Sequence, residues 1–89
     1  MDNSVDKAMI EFKNLRYEKC ITICEKILSY NKENEEALLL KSKSYRNLNK
    51  IKESFIYLDL LISLNPRNKE YYKELGTNYL IINDLNKAK

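Results

Sequence analysis

Cys20 and Cys24 stand four residues apart and are the two cysteines of a chain that contains no histidine. That spacing puts both thiols on one face of a helix. A structural zinc site needs four ligands, however, and no third cysteine or imidazole is on offer. The pair is expected to act as small buried apolar side chains, with no metal bound. Nucleophilic and general acid–base catalysis lack material as well: without histidine, no Ser or Cys has an obvious neighbouring base. The carboxylates Glu35, Glu36 and Glu70 fall where helices are expected to begin, and there they compensate the positive helix end without acid–base work. Gly76, the single glycine, has no Gly-rich surroundings that would cradle a phosphate. The expectation is a non-enzymatic protein with no cofactor.

One basic cluster invites a different chemistry. Lys41, Lys43, Arg46, Lys50 and Lys52, with tyrosines nearby, are the raw material for following a nucleic-acid backbone. At helical spacing these charges point in different directions, and Glu36 and Glu53 dilute them. Over the whole chain 16 basic residues face 13 acidic ones, a net charge of only +3. Nucleic-acid binding is therefore disfavoured.

The elements that carry these residues must be helices. Gly and Pro occur once each in 89 residues, and helix formers dominate the rest, so an all-α chain is expected. The hydrophobic share of 44% against 33% charged residues is enough to drive folding of one small domain, 1–89. No apolar run approaches the roughly 18 residues of a membrane span, and the N-terminus lacks a basic-then-apolar leader. No membrane role and a cytoplasmic location are the corresponding expectations.

The apolar residues recur with helical period: Tyr17, Cys20, Ile21, Cys24, Ile27 and Leu28 form one stripe, and Ile51, Phe55, Leu58, Leu61 and Ile62 another. The stripes themselves repeat. At an offset of 34 residues, Ala8 meets Ser42 and Gly76, Cys20 meets Ser54 and Ala88, Tyr17 meets Ile51 and Leu85, and Tyr45 meets Tyr79. Asn34 and Asn68 are candidate N-caps ahead of Glu35–Glu36 and Lys69–Glu70. The predicted helices are about 3–14, 17–30, 35–48, 51–64 and 69–82, with another beginning near 85. Connections this short force consecutive helices to pack antiparallel. Small side chains where helices cross let backbones approach, so Ala8 is expected against Cys20, Ser42 against Ser54, and Gly76 against Ala88.

With Tyr72, Leu75-Gly76, Tyr79 and Ala88 in the third unit, and Leu38, Ser42, Tyr45, Ser54, Leu58 and Pro66 in the second, the chain resembles the tetratricopeptide repeat family. The first unit keeps Ala8, Tyr17 and Cys20. It has Glu11 where the family has Tyr and Lys32 where it has Pro. The resemblance implies a right-handed α-solenoid of antiparallel helix hairpins, about two and a half repeats, divided at 1–34, 35–68 and 69–89. It also implies a protein or peptide partner, held in a concave groove lined by the first helix of each hairpin. The family's groove positions fall on Val5, Met9 and Phe12, on Leu39, Leu40, Lys43 and Arg46, and on Glu70, Lys73, Glu74, Thr77 and Leu80. The subgroup that clamps a C-terminal carboxylate uses Lys, Asn and Arg where this chain has Val5, Met9, Leu40, Glu70 and Glu74, so that mode is disfavoured. The third unit leaves an uncovered edge made of Tyr72, Leu75, Tyr79 and Ile82, and two competing expectations follow: a piece of a longer repeat array, or a homo-oligomer that self-associates through this edge.

Overall fold

The computed structural model of the chain describes residues 4–87, with side chains through residue 84. Among the described residues there are five helices and no strand: α1 (Val5–Lys13), α2 (Tyr17–Tyr30), α3 (Glu35–Asn47), α4 (Ile51–Leu64) and α5 (Lys69–Lys87). Each packs on the next, and α1 also packs on α3. The described chain measures 45 × 29 × 17 Å.

The 34-residue period of the sequence is also the period of the backbone. Helix α2 covers 17–30 and α4 covers 51–64, the same span one repeat later, while α3 and α5 start at 35 and 69. The turns are copies of each other. Leu15 (φ 62°) and Asn49 (φ 65°) adopt the left-handed conformation. Arg16 N donates to Glu11 O at 2.9 Å and Lys50 N to Tyr45 O at 2.8 Å, while Leu15 N and Asn49 N donate to Phe12 O and Arg46 O at 3.0 Å each. This is a Schellman cap, which satisfies the last carbonyls of a helix and turns the chain back on it. Between hairpins, Asn34 N and Asn68 N both donate at 3.2 Å, to Asn31 O and Asn65 O. The Asn34 side chain caps α3 by accepting from Ala37 N at 3.0 Å, and Asn68 Oδ1 accepts from Glu70 N at 2.9 Å.

The core forms two linked clusters. Ala8, Cys20, Cys24, Ile27, Ala37 and Leu40 pack together between α1, α2 and α3. Leu38, Leu58, Leu61 and Tyr71 pack together between α3, α4 and α5. Ala8 thus shares a cluster with Cys20, as expected of a close crossing, and Ser42 Oγ lies 3.0 Å from Ser54 Oγ.

The third unit departs from expectation. Helix α5 runs through 83–84 to Lys87 instead of breaking near 82. In the first two hairpins the left-handed turn residue is offset by the burial that the returning helix gains; Asn83, the counterpart of Asn49, stays helical. At Gly76, among the described residues, a β-carbon built on the backbone meets no atom of another element within 4 Å. Its supposed partner, Ala88, lies outside the described residues.

Candidate binding groove

Helices α1, α3 and α5, the first helices of successive repeats, enclose a cavity of about 250 Å³ lined by Met9, Phe12, Glu36, Leu39, Leu40, Lys43 and Glu70. On α3 the lining residues follow at three, four and seven positions from Glu36, the spacing of one helix face. Two other surface depressions, of about 310 and 350 Å³, lie around the α1–α2 turn and between Lys7, Glu11, Lys19, Thr22 and Ile23. Neither combines apolar side chains of α1 and α3 in one floor.

Of the expected groove residues, Met9, Phe12, Leu39, Leu40, Lys43 and Glu70 come together in this cavity. Val5 packs against the first core cluster. Lys73 is exposed, the Thr77 hydroxyl donates to Lys73 O at 3.2 Å, and Leu80 stands 66% exposed; none of these three lines the cavity. Arg46 is engaged elsewhere: its Nη2 donates to Glu74 Oε1 at 2.7 Å and its Nη1 to Asn78 Oδ1 at 3.2 Å. Lys43 Nζ lies 3.9 Å from the other Glu74 oxygen.

These contacts belong to a polar chain that joins α3, α4 and α5. Asn78, fully buried, donates through Nδ2 to Ser54 Oγ at 2.9 Å. Ser54 in turn meets Ser42 at 3.0 Å. Each buried polar atom in the series has a partner, which is the condition under which such a network fixes a single packing register. The residues that position the groove include several the sequence reading passed over. Asn78 holds α5 against α4. Glu36 joins Glu70, an expected groove residue, in the acidic part of the wall. Tyr71, rather than Tyr72, enters the core, and its hydroxyl donates to Glu35 Oε1 at 2.5 Å. A signal for the first two was present in the sequence, since Ser44 and Asn78, and Glu36 and Glu70, are each separated by one period.

The basic cluster is dispersed by the fold. Lys41 is buried, 3.4 Å from Glu25 Oε2 and 4.4 Å from the centre of the Tyr57 ring. Burial opposes its charge, but its hydrogen bond to Tyr57 and the charges of Tyr57 and Glu25 outweigh that and hold the ammonium above its ordinary value. Cys20 and Cys24 are both free and fully buried. The hydrogen bond that the Cys24 thiol donates to Cys20, and then burial, push the Cys24 thiol up. Among the described residues no three His, Cys, Asp or Glu side chains gather as a metal cage, and no helix is long and apolar enough to cross a membrane.

No family model matches the chain. It is 30% identical over 77 residues to anaphase-promoting complex subunit 7 of Homo sapiens, a match that takes in 86% of this chain and 14% of that protein. The subunit of the same name from Mus musculus is similar to the same degree. The chain therefore spans only a small part of the length of either relative.

The expected self-association edge is partly open. Tyr72 and Tyr79 are 47% and 58% exposed. The Tyr72 hydroxyl donates to Pro66 O at 2.8 Å, and the Tyr79 ring packs 5.1 Å from that of Phe55. Ile82 is half-buried. Leu75 packs against the second core cluster and is part of the fold rather than of an open edge.

Proposed function

We propose that this chain is a non-enzymatic protein-interaction module of the tetratricopeptide type. In this reading it is a right-handed stack of about two and a half hairpins, with repeats at 1–34, 35–68 and 69–89, that holds a peptide or partner helix against the face shared by α1, α3 and α5. The observation that carries the reading is the cavity whose apolar floor, Met9, Phe12, Leu39 and Leu40, is assembled from two repeats. A pocket of that kind takes an apolar anchor side chain. The likeness to a subunit of the anaphase-promoting complex supports a role in holding proteins together. A photo-crosslinking residue placed at Leu39 tests it. Adducts with other proteins are expected from position 39 and not from the exposed Ile56 on α4; adducts from position 56 alone would remove the groove from the account.

A second reading, self-association through α5, rests on the exposure of Tyr72 and Tyr79 beside the open face of Gly76. Their counterparts in the second repeat, Leu38, Tyr45 and Ser42, lie against α4 or its residues. Sedimentation at two protein concentrations separates the readings. A monomer at both concentrations would exclude self-association and leave the groove reading intact.

A further inference from the structure

The groove is apolar at its floor and unevenly charged at its wall. Lys43 and Arg46, the cations of α3 nearest to it, already share the Glu74 carboxylate at 3.9 and 2.7 Å. Glu36 and Glu70 line the same cavity, are both exposed, and among the described residues neither enters an ion pair. They occupy the same position in consecutive repeats, 34 residues apart, and the stacking of α3 and α5 sets them on one wall. Asp2 stands one repeat earlier at that position in the sequence and lies outside the described residues. Helix-end compensation accounts for an acid in the first turn of α3 and α5. On α3 it does not account for the face chosen, since Glu35 already supplies a first-turn acid and turns to Tyr71, whereas Glu36 turns to the cavity.

Any segment that covers this wall takes two carboxylates out of water. Desolvating an unpaired charge is strongly unfavourable, so the occupant must bring countercharges. Glu36 precedes Leu39 and Leu40 by three and four residues, which places the acid about 5 Å along the helix axis from the apolar floor. That is the reach of a long cationic side chain one or two positions from an anchor in an extended peptide, or one turn away on a helix. We infer that the groove takes a basic–apolar peptide segment, with a Leu, Ile, Met or Phe side chain seated on Met9, Phe12, Leu39 and Leu40, and with adjacent Lys or Arg paired to Glu36 and Glu70. This rests on the proposal that the α1–α3–α5 face is where the protein binds, and it adds the chemistry of the partner. Acidic peptides and nucleic acids are repelled by the same wall.

The test selects a random 12-residue peptide library displayed on phage against the 89-residue chain, against the Glu36→Lys/Glu70→Lys variant, and against Met9→Arg, which fills the floor. Circular dichroism checks that each variant folds, and Glu36→Gln/Glu70→Gln serves as the milder second variant. The pool selected by the unaltered chain is expected to pair an apolar residue with nearby Lys or Arg. Synthetic peptides from it should bind the charge-reversed variant on the order of tenfold more weakly at low salt, with the gap closing as added salt screens the exposed pairs. The charge-reversed variant should select acidic flanks instead. A pool without basic bias whose peptides still fail on Met9→Arg overturns the inference and leaves the groove reading standing. Peptides indifferent to Met9→Arg overturn both.

Discussion

Replacing Gly76 by alanine should make the isolated protein more stable. Gly76 lies within α5 on ordinary helical backbone, with no positive φ, and its added β-carbon meets nothing within 4 Å. No steric cost therefore offsets the difference in helix propensity between the two residues, about 1 kcal/mol. For a domain of this size that free energy raises Tm by roughly 4–8 °C. Thermal unfolding followed by far-ultraviolet circular dichroism at micromolar concentration measures it. The counterparts of Gly76, Ala8 and Ser42, are 0% and 1% exposed, packed at crossings with α2 and α4, so the sign of the change reports whether an equivalent helix lies on α5. A lower Tm for Gly76→Ala would refute the reasoning that this face is open. A gain at low concentration that turns into a loss at high concentration would show that copies of the chain pack there.

The turn at Leu15 holds a non-glycine residue at φ 62° with its side chain 71% exposed. Leu15→Gly relieves a strain of about 1–2 kcal/mol, partly offset by the greater freedom of glycine in the unfolded chain, so a net gain of about 0.5–1 kcal/mol is expected in urea titrations. Asn78→Ala removes the buried link between Arg46 and Ser54 and should cost about 1–3 kcal/mol, with amide exchange in α5 accelerated before that in α1–α4. Burial, and then the hydrogen bond to Glu35, push the Tyr71 phenol above its ordinary value of 10.0. An acid whose folded pKa is raised contributes stability that is complete below its unfolded pKa and is lost as pH climbs toward the folded value. The protein should accordingly weaken above about pH 10, where the unfolded phenol begins to ionise. In Tyr71→Phe the part of that loss due to Tyr71 disappears, as measured by urea midpoints from pH 8 to 11.

Helix positions were legible because the turn chemistry repeats with the apolar stripes. Asn34 and Asn68 marked the starts of α3 and α5, and the Tyr17 and Ile51 stripes opened at the first residues of α2 and α4. The left-handed residues were not legible, because Leu15 carries none of the glycine signature of such turns and Asn49 only weakly signals one. The end of α5 was missed for a tertiary reason: nothing local to Asn83 differs enough from Asn49 to say whether a helix will pack back. In the groove, the apolar floor followed from repeat spacing. The withdrawal of Arg46 into an ion pair with Glu74 depends on two side chains 28 residues apart and leaves no trace in the sequence pattern.

The central claim is that the face shared by α1, α3 and α5 is the binding surface. Its most direct test is a nuclear magnetic resonance titration of the isotope-labelled chain with a basic–apolar peptide obtained from the library. The account predicts that shifted resonances concentrate on Met9, Phe12, Glu36, Leu39, Leu40, Lys43 and Glu70 while those of Ile56 and Leu60 stay in place. Shifts confined to Tyr72, Gly76 and Tyr79, with the cavity residues unmoved, would contradict it.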